Sequence, residues 1–391
     1  MDFIYLDHNA TTPVDPEVVE AMLPYLREIY GNASSVHSGG RDAKVALENS
    51  REQIAEFINC EPSELYFTSG GTESDNIAIL GTAYQLKSRC DHLIVGAAEH
   101  HAILEPAEHL HEKENFKLDI LPVDSDGLSS PERLARLVND KTAIVSVMQA
   151  NNETGVIQDI AALSEVAKAQ GVLFHTDAVQ ATGKIKVDVK ELGVDLLSLT
   201  GHKIYGPKGT GVLFVKQGVK LAPLFYGGSH EKKRRPGTEN IAGIVGLAKA
   251  LEIAGKRMEQ DHQLHKELSE YFIDKVTSLI PDVSLNGHRD KRVMPTMNLS
   301  FSGIEGESIL LSLDLEGIAC SSGSACTSGA TEPSHVLVAM GKDKVDAQGA
   351  IRFSMGRSTT KEQLDYVLEK LPPVVERLRN MSPIYRSKAK Q

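Results

Sequence analysis

Between about residue 45 and residue 250, short apolar runs of strand length alternate with segments whose apolar positions recur every three to four residues. Residues 64–68, Glu-Leu-Tyr-Phe-Thr, predict a strand, and residues 72–87 the helix after it. Residues 93–96 predict the next strand, with a helical segment beyond His100. The run Ala-Ile-Val-Ser-Val at 143–147 is apolar enough to be buried on both faces. Residues 160–169 predict a helix closed by Gly171, and 172–175, 196–199 and 211–215 predict three further strands. This alternation predicts an α/β layer with a mostly parallel sheet. Ligands of such sheets sit in the crevice beyond the carboxyl ends of the strands.

The texture changes after about residue 255. Residues 255–280 predict one long helix, 293–301 a strand, 305–315 a helix, 351–354 a strand and 361–379 a terminal helix. Residues 319–331 are rich in Ser, Gly and Ala without periodicity, which predicts a loop. The expected division is a large domain of residues 15–255 and a smaller α+β domain built from 1–14 and 256–391.

Composition narrows the class. The 391 residues are 41% hydrophobic and 24% charged, an ordinary globular balance that excludes collagen, a disulfide mini-protein and a wholly disordered chain. The net charge of -11 argues against a nucleic-acid binder. The basic run Lys232-Lys233-Arg234-Arg235 is short and lacks interleaved aromatics, so it is read as a solvated or ligand-facing loop. The four cysteines, at 60, 90, 320 and 326, form no CxxC pair. The N-terminus lacks the features of a targeting peptide, and no apolar run reaches the roughly 20 residues that span a bilayer. The expectation is a cytoplasmic protein with reduced thiols and no membrane contact.

Five constellations can carry chemistry. In Thr68–Asn76 a strand ends, Gly70 and Gly71 turn, and Thr72 opens a helix whose free N–H groups suit a phosphate. Alone, that pattern is ordinary capping. Lys203 follows a buried strand, with His202 before it and glycines after it; a desolvated lysine there can form a Schiff base. An isolated lysine in a turn is more often just a surface residue. Asp177, in His-Thr-Asp-Ala-Val-Gln, ends another strand, where a carboxylate can pair with a pyridinium nitrogen or merely cap a turn. Glu99-His100-His101 lacks further zinc ligands at suitable spacing; a His stacked on an aromatic cofactor is the sharper reading, a structural His the plainer one. Cys326 lies in a loop of small residues, where a thiol can move between two sites or do nothing.

Taken in order, the phosphate-type turn, His100, Asn151-Asn152-Glu153, Asp177, Lys203 and a loop cysteine make a pattern. With Tyr5–Thr12, Gly237–Asn240, Ser321–Gly329, Glu332–His335 and Ile351–Ser354, the chain closely resembles the NifS/IscS-type cysteine desulfurases nearly end to end. These are fold-type I enzymes that use pyridoxal 5'-phosphate (PLP), with a large mostly parallel α/β domain and a smaller α+β domain.

The resemblance implies a role for each matching residue. Lys203 would hold the cofactor covalently, Asp177 would pair with its ring nitrogen, and His100 would stack on the ring and assist proton transfer. Gln180 and Asn152 would contact the phenolic-oxygen side. Gly71, Thr72, Thr200 and His202 would bind the phosphate, joined by Thr238 from the other subunit of a homodimer. Arg352, with Asn152, would bind the substrate carboxylate. Cys326 would take sulfur from L-cysteine, leaving L-alanine, and its mobile loop, 319–331, would pass the sulfur to an iron–sulfur scaffold or another acceptor protein. No stable metal is implied, though Cys326 would transiently ligate a nascent cluster while docked. The sequence departs from the family at Asn32-Ala33-Ser34-Ser35, where Asn-Pro is usual, and at Cys320. Two rivals remain at this stage. A transaminase or selenocysteine lyase would not need Cys326, and a sulfur-carrier module would not need Lys203.

Overall fold

The computed structural model describes residues 3–322, 333–383 and 385. Seven strands form its main sheet, in the spatial order Leu65–Thr68, Gly211–Val215, Leu196–Thr200, Leu173–Asp177, Thr142–Ser146, His92–Gly96 and Lys117–Leu121. All run parallel except Gly211–Val215, which is antiparallel to both neighbours. The central strands are buried along almost their whole length, as a sheet covered on both faces requires. Successive side chains feed opposite cores: Leu196 and Ile144 join one, Leu197 and Val145 the other. Helices Gly71–Leu86 and His101–Glu114 cover the first face, and helices including Ser38–Ile58 and Ile160–Ala169 cover the second.

A second body is built on a three-stranded antiparallel sheet, Ala350–Ser354, Thr296–Phe301 and Val283–Asn286. Phe272 and Phe353 meet edge to face in its core, 5.2 Å between centroids. The N-terminal segment belongs to this core: Ile4 and Leu6 are buried in it, and Ile4–Tyr5 pairs in parallel with Ile318–Ala319.

Helix Ile241–Leu279 ties the two bodies together. Its 39 residues span about 58 Å. Ile244, Leu247 and Leu251 pack into the first body, and Phe272, Ile273 and Val276 into the second. The sequence reading started this helix at 255. Its first turns, Ile-Ala-Gly-Ile-Val-Gly-Leu-Ala, are almost wholly buried and so carry no polar stripe to mark them as helical. The strand expected at 293–301 begins at Thr296. Helices Pro16–Arg27 and Ser38–Ile58 and strand Lys117–Leu121 went unread.

Candidate active site

The parallel topology lines up the carboxyl ends of the central strands. Thr200 and Asp177 are the last residues of adjacent strands, and Lys203 closes the 3-10 turn after Thr200. Beside them, Gly70 turns the chain with φ of 157° and caps helix Gly71–Leu86. A Cβ on Gly71 would come within 2.7 Å of the Val179 side chain, so only glycine lets this turn lie so close to the Asp177 loop.

These residues surround a cavity of about 350 Å³, lined by Gly71, Thr72, His100, Asn152, Asp177, Gln180, Thr200, His202, Lys203 and Arg352, with Asn9, Ala10, Asp75, Met148 and Val179. Ten of the positions singled out from the sequence therefore converge on one crevice. Two do not. Thr238 is exposed and does not line the cavity, and Cys326 lies outside the described residues.

Each side chain is held by its element. Lys203 Nζ donates to the carbonyls of Asn9, at 2.6 Å, and Ala10, at 2.7 Å. Asp177 Oδ1 accepts the Val179 N–H at 2.8 Å. Burial pushes the Asp177 carboxyl up to about 6, against the pull of that N–H and of Lys203. Such a carboxylate gains most from a further cation in the cavity. His100 caps helix His101–Glu114: its Nδ1 accepts the Ala102 N–H at 3.0 Å, which assigns the proton of the neutral ring to Nε2. Burial, with Lys203, His101 and His335 nearby, lowers His100 to about 4, so the ring is neutral at pH 7. His202 is lowered to about 4 by burial and the flanking lysines, and its Nδ1 lies 3.2 Å from Thr11 Oγ1.

Arg352 approaches from the second body. Its Nη2 donates to Asp7 Oδ1 at 2.7 Å and its Nη1 to the Asn152 carbonyl at 3.0 Å. Its Nε is buried without a partner among the described residues. Of the Asn pair, Asn151 is structural: its Oδ1 accepts from Glu153 N and Thr154 N and closes the turn that presents Asn152.

Three further groups are buried here, of which Asp75 lines the cavity and His175 and Glu99 do not. His175 Nδ1 and Nε2 lie 2.9 and 3.1 Å from the hydroxyls of Ser146 and Ser198. Burial and the negative charge of Asp177 raise Asp75 and Glu99 well above the usual carboxylate range. The Glu99-His100-His101 triplet diverges. Glu99 accepts Met148 N–H at 2.6 Å, and His101 turns to Glu105 and the His335 ring.

The basic run folds back on the chain. Lys232 Nζ reaches the Ser63 carbonyl, Arg234 lies over the Tyr66 ring, and Arg235 pairs with Glu73 at 2.8 Å. Sequence reasoning gave no role to Asp7, Asn9, Ala10 or Lys184. The first three lie in Tyr5–Thr12, which carries the family resemblance but no pattern of its own, and backbone carbonyls such as those of Asn9 and Ala10 carry no side-chain signal.

A helix N-terminus with a glycine turn, a lysine beyond one strand, an acid ending the next and a neutral histidine between suit a flat phosphate-bearing aromatic aldehyde with a cationic ring nitrogen. Fold and crevice together define a fold-type I PLP-dependent enzyme. Residues 4–367 match the aminotransferase class-V model. Cysteine desulfurase IscS of Dictyoglomus turgidum is 50% identical over 380 residues, 97% of this chain and 96% of that protein. Its counterpart in Methanosarcina thermophila is 48% identical, over 97% and 94%. A solved NifS-like protein superposes with a TM-score of 0.90 at 36% identity, over 96% of this chain and 100% of that one. A NifS-like protein from Rickettsia africae gives 0.86 at 30% identity, over 96% and 99%. The chain belongs to the aminotransferase class-V family, alongside the NifS/IscS-type cysteine desulfurases.

Proposed function

We propose that the protein is a PLP-dependent cysteine desulfurase that converts L-cysteine to L-alanine and passes the sulfur on from Cys326. The observation that carries this reading is the convergence of Lys203, Asp177, His100 and Arg352 on one cavity. When bound, the cofactor supplies an electron sink to the carbon that bears the substrate amino group.

The chain's own residues do the rest. Lys203 tethers the cofactor and, once released, moves the proton at the substrate Cα. Asp177 keeps the ring nitrogen protonated, because a buried carboxylate beside a cation stays charged. Neutral His100 packs on the ring and carries a proton at Nε2. Gly71, Thr72, Thr200 and His202 hold the phosphate, and Gln180 and Asn152 the phenolic side. Arg352 takes the substrate carboxylate as a planar fork, for which lysine is no substitute. The Cys326 thiolate attacks the substrate sulfur: an S–S bond forms, the C–S bond breaks, and its electron pair takes a proton at the β-carbon, leaving alanine.

We further infer a homodimer in which Thr238 reaches the partner's phosphate. The exposed apolar side chains of Tyr30, Val36 and Tyr226 support a surface covered in a dimer. The resemblance to the NifS/IscS type favours iron–sulfur assembly as the destination of the sulfur, with a scaffold or other acceptor protein as partner, and the reduced thiols expected from the sequence favour the cytoplasm. Among the described residues no helix is long and apolar enough to cross a membrane.

The test is the visible spectrum of the purified protein before and after L-cysteine. A cofactor band that shifts with cysteine, with one alanine formed per sulfur released, is the expected result. A band indifferent to cysteine points to a transaminase-like enzyme, and no band after PLP is supplied overturns the role of Lys203.

A further inference from the structure

Lys184 lies one helical turn beyond Gln180, in the short turn that opens when Ala178 O accepts from Ala181 N and Thr182 N. Its Nζ donates to Gln180 Oε1 at 2.6 Å and approaches Asn9 Oδ1 at 3.5 Å. The other end of the Gln180 amide is equally committed: Nε2 donates to the Asn9 carbonyl at 3.0 Å. An ammonium donates and a carbonyl accepts, so the two contacts leave one amide orientation. The oxygen faces Lys184, and the amide's remaining N–H is what Gln180 can offer the cavity.

The geometry points to Lys184 as a positioning residue that sets the Gln180 amide so that it presents a hydrogen-bond donor, not an acceptor, to the phenolic oxygen of the bound cofactor. This rests on the PLP reading above.

The surroundings fit. Lys184 sits behind the tether, in a small cavity of about 40 Å³ lined also by His8, Lys203, Asp261, His265 and Arg357. Burial, with Lys203 and Arg352 as cationic neighbours, lowers its pKa to about 7. Protonated or neutral, the amine still has N–H groups, so the amide orientation survives that titration. An anionic cofactor oxygen nearby favours the protonated form.

The readout is the pH midpoint of the cofactor's visible band, which a merely structural residue leaves alone. A donor at the phenolic oxygen stabilises the more negative, high-pH form, so its loss raises the midpoint. Lys184→Met is expected to raise the midpoint by about one pH unit, a tenfold change in the equilibrium. In a Gln180→Ala background the same substitution is expected to add almost nothing, because Lys184 acts through that amide. An unmoved midpoint in Lys184→Met overturns the proposal. So does an equal shift in both backgrounds, which would mean the lysine acts by its own charge. Lys184→Gln, uncharged but still a donor, keeps the test open if the methionine variant does not fold: a parental midpoint supports positioning, and a raised one overturns it. A parent protein with no cofactor band would instead overturn the PLP reading and this inference with it.

Discussion

At the scale of single residues, the crevice is governed by what burial does to charge. His100 is the clearest case. Its pKa falls from 6.5 to about 4 on folding. The unfolded chain therefore binds the proton first as acid is added, so the neutral ring's contribution to stability is whole above pH 6.5 and is lost as pH falls toward 4. His100→Gln removes this titration. Its apoprotein is expected to lose less stability than the parent over that range, by on the order of 2 kcal/mol at the acid end. Denaturant midpoints measured at several pH values check this, and parallel curves for the two proteins would refute it. His8, lowered to about 4, and His175, lowered to about 3, both by burial, titrate in the same sense and add to the acid sensitivity. Asp75, Glu99 and Asp177 are raised and oppose that trend.

At the scale of elements, the turn His230–Lys233 is the most strained backbone near the site. Glu231, Lys232 and Lys233 take φ of 45°, 56° and 68°, a left-handed run without a glycine. Each such residue costs about 1–3 kcal/mol, so something must hold it. Glu231 does: its carboxylate takes Arg51 Nη2 at 2.7 Å, Arg51 Nη1 at 3.1 Å and Phe67 N at 3.0 Å. Arg51 also stacks on Phe67, 4.6 Å from the ring centroid. This joins helix Ser38–Ile58 and strand Leu65–Thr68 to the segment that carries Arg235 and, further on, Thr238. Arg51→Met leaves Glu231 buried without its cation, which costs about 3–5 kcal/mol. A thermal melt of the purified variant is expected to fall by several degrees, and an unchanged melting temperature would mean the pair holds nothing.

At the scale of the whole molecule, the crevice lies where the two bodies meet. Arg352 comes from the three-stranded sheet, Lys203 and Asp177 from the seven-stranded one, and Asn9 from the N-terminal segment packed with the former. Thr238, on the same chain, stays outside the cavity. By the role proposed for Thr238, a single chain does not complete its own phosphate site. Light scattering is then expected to give twice the chain's 42.5 kDa at micromolar concentration. A monomer that binds cofactor at full affinity would remove Thr238 from the site.

Much of this was legible in the chain. The mostly parallel sheet followed from buried runs alternating with helical periods, because both signals are local and repeat at fixed intervals. Of the crevice residues, Asp177 and Lys203 stood out by their place at and just beyond strand ends, where this topology collects ligands, whereas Asn152, Gln180, Thr200 and Arg352 were marked only by the family resemblance. The first half of helix Ile241–Leu279 was hidden, since a segment buried on every side shows no stripe. Strand Lys117–Leu121 was hidden by its exposed edge position. What the folded chain alone decided are contacts between distant segments. Asn9 reaches Lys203 across 194 positions, Asp7 meets Arg352 across 345, and the basic run is spent on Glu73, Tyr66 and Ser63. No local period encodes those pairs. They exist because sheet order and the packing of two cores bring backbone carbonyls and charged side chains within hydrogen-bond reach.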